Sequence, residues 1–406
     1  MPPRSRLADL GSSSAIARML LPLLTLSAAG CGSEDAPTSP SASAVGLAAA
    51  VTSPSYGQIA IGGNHTCGVT SGGLIYCWGN NGFGQLGDGT TQNRLKPVPV
   101  QVGALRFRRV TAGWSHTCAE TTNGKAYCWG NNIWGQLGIG SASGASRLTP
   151  VAVAGERTFR QVQAGAQHTC GVTIGDAYCW GDNLAGQLGD PPSTGFTRTA
   201  PVLVTGGLAF KSVDPGDLHT CGLTTSSRVY CWGSNSLGQL GDGTTAYHLA
   251  PAIIAGNQLY KQVSTGSIHS CALGIDDKAY CWGDNFSGQV GDGTTTRRLV
   301  PKAVAGGRTY RGLSAGASQN CATDFGSRSY CWGNNAYGAL GDGTTTTRLR
   351  PVATLGGLGF ERLNAGTHSC GVTASGKAYC WGYNGFGEIG DGTKINRLRP
   401  RLVGGS

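Results

Sequence analysis

Charge is scarce in this chain: only 13% of its 406 residues are Asp, Glu, Lys or Arg. A chain so poor in charge lacks the signature of intrinsic disorder. Methionine occurs twice. No window outside the N-terminus sustains the 3.6-residue apolar period of an amphipathic helix, which argues against a helical or α/β core. Nor does any apolar run approach the ~18 residues that a membrane-spanning helix requires. The Cys-x-x-Cys knuckle of zinc ribbons and the ligand spacing of an EF-hand are both missing. Glycine is abundant, at 68 residues, yet without the every-third-residue period of collagen.

What is present is repetition. The stretch "HTCGVTSGGLIYCWGNNGFGQLGDGT" at 65–90 returns six more times, as in "HTCGLTTSSRVYCWGSNSLGQLGDGT" from His219. Marked by their first cysteine, the copies begin at Cys67, Cys118, Cys170, Cys221, Cys271, Cys321 and Cys370. The steps are 51, 52, 51, 50, 50 and 49 residues. A period near 50 points to propeller blades, a solenoid or an array. An aromatic residue opens each copy: Tyr56, Phe107, Phe159, Phe210, Tyr260, Tyr310 and Phe360. A Pro-led apolar run such as "PVLV" from Pro201 closes each one. Each unit thus reads as four short strands separated by Gly, Asn, Asp, Ser and Pro turns, the size of one blade. In the segment "AYCWG", alternation sends Tyr and Trp to one face and Cys to the other. The fold class expected is all-β.

The pattern "AGxxHTC … YCWGxNxxGQLGDGT … P" resembles the regulator of chromosome condensation repeat, and the resemblance covers roughly residues 56–406. It implies a seven-bladed β-propeller of four-stranded blades. Two features depart from the founding eukaryotic members. Each copy carries a cysteine pair, and the even spacing leaves no room for the long inserted wedge of the nucleotide-exchange member. Exchange activity is therefore not implied. Only "GWSHT" at 113–117 matches the motif that photoreceptor members repeat, so photoreception is not implied either. How the ring closes stays open; a swapped strand from residues 46–55 is one option.

The N-terminus has Arg4, Arg6 and Arg18, then the apolar run "MLLPLLTLSAAG" from Met19, then Cys31. By its parts, residues 1–30 form a signal peptide. Ala28, Ala29 and Gly30 before Cys31 resemble a bacterial lipobox, with Ala28 where Leu is usual. Residues 31–55, rich in Ser, Ala and Pro, read as a flexible tether. Fourteen of the 15 cysteines fall in the repeats, and Cys31 is the one left over. A lipid anchor on Cys31 accounts for it; a free thiol in the tether is the alternative. An exported protein of the bacterial cell envelope follows, held to the membrane through Cys31 and expected to be a monomer.

His65, Cys67 and Cys77 could in principle hold zinc or form a thiolate–imidazole pair. The sixth copy, however, has Gln319 in place of the histidine and keeps both cysteines. Seven near-identical copies also do not make a single catalytic centre. The histidine reads instead as a structural hydrogen-bonding group, a role Gln319 can share. A calcium reading of the "GDGT" loops fails in the second copy, which has Ile139 in place of the Asp. No metal, cofactor or catalytic residue is assigned.

In an oxidising compartment the paired cysteines read as disulfides across a blade hairpin. The pairs are Cys67–Cys77, Cys118–Cys128, Cys170–Cys179, Cys221–Cys231, Cys271–Cys281, Cys321–Cys331 and Cys370–Cys380. Bridges between neighbouring copies are the alternative.

The 31 basic and 21 acidic residues give a net charge of +10. The excess recurs at fixed places, one being Arg94, Arg147, Arg198, Arg298, Arg348 and Arg397, with His248 in the fourth copy. Another follows the opening aromatic: Arg108, Arg160, Lys211, Lys261 and Arg311. Charge spread once per blade is not the stripe that nucleic acid favours, so solvated or locally paired roles are expected and no nucleic-acid partner is. The leading function is a non-catalytic scaffold that binds a protein, a ligand or another envelope component. An envelope or secreted glycan hydrolase or lyase, and a purely structural surface protein, are the alternatives. A variable two-residue slot between "WGxN" and "GQLG" carries the candidate partner-binding residues Phe83, Trp134, Phe286, Tyr337 and Phe386. Such rings either meet a partner or fill the joints between blades.

Overall fold

The computed structural model describes residues 54–141, 144–190 and 196–405. The assigned signal peptide, the Cys31 anchor and all but the end of the tether lie outside these residues. The described chain forms seven antiparallel four-stranded sheets arranged as a β-propeller, with no helix among the described residues.

The first blade shows how the repeat is built. Strand β1 (Tyr56–Ile61) pairs with β2 (His65–Thr70), β2 with β3 (Ile75–Gly79), and β3 with β4 (Arg94–Pro99). Every other blade repeats this order with four consecutive strands, the last beginning at Phe360. Among the described residues no strand is swapped between blades, and Pro54 and Ser55 lie outside any strand. The ring closes instead by packing the first blade on the seventh. Tyr56, Ile59 and Trp78 share a core with Cys370, Val372, Ile389 and Val403, and Tyr56 N donates to Gly376 O at 2.8 Å.

Alternation along β3 explains where the core sits. Tyr76 and Trp78 face the preceding blade, whereas Cys77 faces the next. There Cys67 and Cys77 pack with Phe107, Val110 and Trp129 of the second blade. The apolar core is therefore a set of seven layers between blades. All seven third-strand tryptophans are buried.

Cys67 stands directly opposite Cys77 in the β2–β3 register, and a disulfide joins them across a Cα separation of 4.1 Å. The same bond closes each of the other six hairpins. Gly79 ends β3 with φ +103°, where an added Cβ would lie 2.7 Å from Asn64 O, so only glycine lets the chain leave the strand over the histidine turn.

Candidate functional site

The topology gives the ring two unlike faces. The β1–β2 turn and the long β3–β4 loop emerge on one side, here the loop face. The β2–β3 hairpin tip and the chain entering the next blade emerge on the other, the hairpin face. The seven first strands line a central cavity of about 550 Å³.

The repeated histidines are buried at the blade joints rather than exposed in a site. His65 Nε2 lies 2.8 Å from Thr117 Oγ1 of the next blade, and that hydroxyl donates to Gln85 O at 2.8 Å. Trp129 Nε1 donates to the same carbonyl at 2.9 Å. The hydroxyl proton is thus committed to the carbonyl, so the imidazole must be the donor through Nε2–H. The fifth joint agrees, because His269 Nε2 meets the acceptor Asn320 Oδ1 at 2.9 Å. The corresponding bonds of His116, His168, His219 and His368 run to Thr169, Thr220, Ser270 and Thr66. Nδ1 has no partner in any of the six. Burial lowers their basicity, to about 3 for His65, His116, His168, His219 and His368, so they stay neutral.

One expectation is corrected at the sixth joint. Gln319 does not take over the histidine's role. Its Oε1 accepts from Ser318 N at 3.1 Å, and its Nε2 is buried without a partner. The flexible amide folds back on its own turn, where a rigid ring would reach across. Sequence reasoning also missed the acceptor in this relay. The signal was the residue after the histidine, which is Thr, Ser or Asn in every copy.

Around the channel, side chains of the first strands tie neighbours together. Ala164 N donates to Thr111 Oγ1 at 3.1 Å, Ala315 N to Ser264 Oγ at 3.0 Å, and Ala365 N to Ser314 Oγ at 3.0 Å. Asp214 accepts from Thr265 N at 3.1 Å, and burial pushes its carboxyl up to about 7. Glu361 also borders the cavity but is ion-paired with Arg311 at 3.0 Å. Among the described residues no group of three or more His, Cys, Asp or Glu is placed to hold a metal.

Five of the six repeated arginines of the fourth strands are paired locally; Arg147, in the copy with Ile139 in place of the Asp, has no ion-pair partner among the described residues. Arg94 meets Asp88 at 2.8 Å, Arg348 meets Asp342 at 2.7 Å and Arg397 meets Asp391 at 2.6 Å. His248 takes the same place against Asp242 at 2.7 Å. The basic residues after the opening aromatics lie elsewhere, on the hairpin face.

The slot residues sit on the loop face. Phe286 is 84% exposed, Tyr337 49% and Phe83 40%. Trp134 and Phe386 are half-buried. The aliphatic slot residues Ile133 and Leu184 are exposed as well. The loop beneath is fixed, since Gln85 Oε1 accepts Phe83 N at 2.9 Å and Gln85 Nε2 reaches Asn80 Oδ1 at 2.7 Å. Tyr337 also stacks edge-on against Tyr383, with centroids 5.1 Å apart. The loop face therefore presents a broken ring of apolar side chains on rigid supports.

With this geometry in view, the relatives can be placed. The family model described as RCC1-like domain matches residues 145–405. The regulator of chromosome condensation (RCC1) repeat matches residues 72–119, and a second model of that repeat matches 58–85 and 107–136. The ultraviolet-B receptor UVR8 of Arabidopsis thaliana is 34% identical over 197 residues, 47% of this chain and 44% of the receptor. The E3 ubiquitin-protein ligase HERC2 of Homo sapiens is 32% identical over 192 residues, 46% of this chain and 4% of the ligase. The chain thus spans less than half the length of these two relatives. Among solved structures, human WBSCR16 superposes with TM-score 0.70 at 19% identity, over 77% of this chain and 85% of that one. Prp20p of Saccharomyces cerevisiae superposes with TM-score 0.69 at 22% identity, over 76% and 80%. These two show the shared fold.

Proposed function

The chain belongs to the RCC1-like domain family, and from that premise we propose that it is a non-catalytic binding scaffold, exported and lipid-anchored, that engages a partner on its loop face. The observation that carries the reading is the row of exposed slot side chains, Phe83, Phe286 and Tyr337 above all, held on hydrogen-bonded loops at one face of a rigid ring. Exposed aromatic side chains on preorganised supports are the usual anchors of a protein interface. Prp20p, of the same fold, has binding properties toward Gsp1p and histones; for this chain the partner is a protein or another envelope component. Seven buried disulfides suit an oxidising compartment, which supports export and the assignment of residues 1–30 as signal peptide and Cys31 as anchor. The channel carboxylates Glu361 and Asp214 are engaged locally, by Arg311 and by the Thr265 amide, which favours the binding reading over a glycan-active enzyme.

The test is capture from the native cell envelope. Substituting Phe83→Ser, Phe286→Ser and Tyr337→Ser together should abolish capture while leaving the unfolding midpoint nearly unchanged. Capture that survives the triple substitution would place the interface elsewhere. Intact mass of detergent-extracted protein tests the anchor: an unmodified Cys31 in the mature chain would overturn it.

A further inference from the structure

The hairpin face differs from the loop face in both charge and shape. Basic residues stand at the tips between second and third strands: Lys125, Arg228, Lys278, Arg328 and Lys377. A second basic set, Arg108, Arg160, Lys211, Lys261 and Arg311, opens the first strands. Backbone bonds place the two sets together. Phe107 N donates to Gly73 O at 2.9 Å, Phe159 N to Gly124 O at 2.8 Å, and Tyr260 N to Ser227 O at 2.8 Å. Each first strand therefore begins beside the hairpin tip of the blade before it.

Part of this charge is neutralised in place. Arg108 pairs with Glu120, Lys261 with Asp277, and Arg311 with Glu361. Arg160, Lys211, Arg228, Lys278, Arg328 and Lys377 have no ion-pair partner among the described residues. This is unlike the fourth-strand arginines, most of which face a dedicated aspartate. A groove between the first hairpin and its neighbours adds Arg106 and Arg362 to the same face.

The tips also carry apolar side chains that are exposed among the described residues. Ile174 is 81% exposed, Phe325 61% and Ile275 58%. They stand on the third, sixth and fifth hairpins; Lys261 Nζ lies 5.8 Å from the centre of the Phe325 ring, Lys278 shares the fifth tip with Ile275 and Lys211 follows the strand start bonded to the third tip, while Asp176, Asp276 and Asp324 share these tips. Large apolar groups interspersed with Lys and Arg are the composition of surfaces that enter a bilayer interface. A linear polyanion is read along a stripe or groove. Here one or both of these positions are basic in every blade but the first, so the cations spread around a ring, which matches a flat array of negative charges.

We propose that the hairpin face docks on an anionic lipid bilayer. The lysines and arginines meet headgroup phosphates, and Ile174, Ile275 and Phe325 enter the interfacial layer. This contact does not require an acyl chain on Cys31. It orients the ring so that the loop face, with Phe83, Phe286 and Tyr337, points away from the membrane.

The test uses the full-length chain with Cys31→Ser, so that no acyl chain contributes. Cosedimentation is measured with phosphatidylglycerol–phosphatidylcholine vesicles and with pure phosphatidylcholine vesicles. The anionic vesicles should bind at least about tenfold more tightly, with the difference shrinking as salt shortens the screening length. Lys211→Glu, Lys278→Glu and Arg328→Glu together should remove that preference. Ile174→Ser, Ile275→Ser and Phe325→Ser should weaken binding severalfold, with an unchanged unfolding midpoint showing that the ring is intact. Phe83→Ser, Phe286→Ser and Tyr337→Ser, on the opposite face, should leave vesicle binding unaltered. Equal binding to both vesicle types, or loss of binding in the loop-face variant, would overturn the proposal. So would displacement of the protein from vesicles by soluble polygalacturonate, which would make an acidic polymer the ligand. Envelope capture is a separate readout, so failure here leaves the loop-face reading standing, and the reverse.

Discussion

The inside of a blade and the joint between blades are held by different chemistry. Within each blade a buried disulfide joins directly opposed residues of the central hairpin, seven times with the same geometry. At the joints the links are polar and side-chain specific: imidazole to hydroxyl, hydroxyl and indole to a single carbonyl. The blades are alike and the joints are not. Gln319 leaves the sixth joint without its cross-blade bond. Asn320 replaces the hydroxyl at the fifth. Glu388 replaces glutamine where the ring closes. A covalent staple gives each hairpin a stability of its own, so the ring's response to pH and to mutation should concentrate at the joints.

The widest separation between the two regions should come from reduction. Each staple closes a loop of about ten residues and contributes ~2–3 kcal/mol on the chain-entropy account. Denaturation in reducing conditions should therefore shift the midpoint strongly downward, whereas Cys321→Ala with Cys331→Ala should cost only about one such increment. A reduced chain with an unchanged midpoint would show that the joints alone hold the fold.

Acid should act on the joints. The six histidines are neutral and buried in the fold, with basicity depressed from 6.5 to about 3 in five of them and lowered in His269. A depressed folded value means that the unfolded chain binds protons first, so stability falls as pH drops from 6.5 towards 3. Buried acids oppose this. Asp214 and Glu388, raised from 3.8 and 4.5 to about 7, favour folding at the low end and lose that contribution as pH rises through the same window. The opposition ends below about pH 4, where these acids are protonated in both states. Six imidazoles outnumber these two carboxyls, so stability should fall throughout the drop from pH 6.5, and more steeply still below about pH 4.5, as read by denaturant midpoints. A flat profile down to pH 3 would contradict the neutral buried imidazoles.

Single joints should differ by a smaller amount. His168→Ala removes the donor to Thr220 Oγ1 and leaves a cavity, and should cost about 2–4 kcal/mol. Gln319→Ala removes an amide whose Nε2 is already unpaired and should cost about 1 kcal/mol or less. Comparable losses at the two positions would mean that the cross-blade bond is not what the histidine supplies.

These contrasts also mark how far the sequence could be read. Strand order, blade size and the opposition of Cys67 and Cys77 are local and periodic, so spacing alone reveals them. The disposition of charge was only half legible. The Arg94 position holds Arg or His in every blade and the Lys211 position is basic in five of the seven, yet Arg94 folds onto Asp88 a few residues away. Lys211 starts a first strand on the opposite face, a placement that depends on topology rather than on neighbours in sequence. The joint relay was legible in its histidine and missed in its acceptor, because Thr117 reaches His65 across the joint between blades. The equivalence of Gln319 with histidine failed for a conformational reason: a glutamine has enough rotatable bonds to satisfy itself locally. The exposure of Phe286 and the half-burial of Trp134 depend on how each loop sits against its neighbours, which the slot's sequence position does not specify.

The smallest effect, and the sharpest, should come from the closing joint. Glu388 stands where five other copies have glutamine and the sixth has Ala339. Its backbone carbonyl takes the Thr66 hydroxyl at 2.9 Å and the Trp78 indole at 2.7 Å. Its carboxylate accepts Phe386 N at 2.9 Å through one oxygen and leaves the other buried without a partner. Burial raises this group to about 7, against the pull of the local backbone amides. An acid raised in the fold favours folding while it is protonated. That contribution is complete below about pH 4.5 and is lost as pH rises to 7. Glu388→Gln keeps the acceptor for Phe386 N and removes the charge. The Gln85-type partner for a new amide is absent, since Tyr383 occupies the position of Asn80, so the gain stays below what the full shift would set. We expect about 1–2 kcal/mol of stabilisation at pH 8 and close to none at pH 4, measured as the difference between denaturant midpoints at the two pH values. An equal gain at both would assign it to the amide's own hydrogen bonds, and the closing joint would then be no more sensitive to pH than its six neighbours.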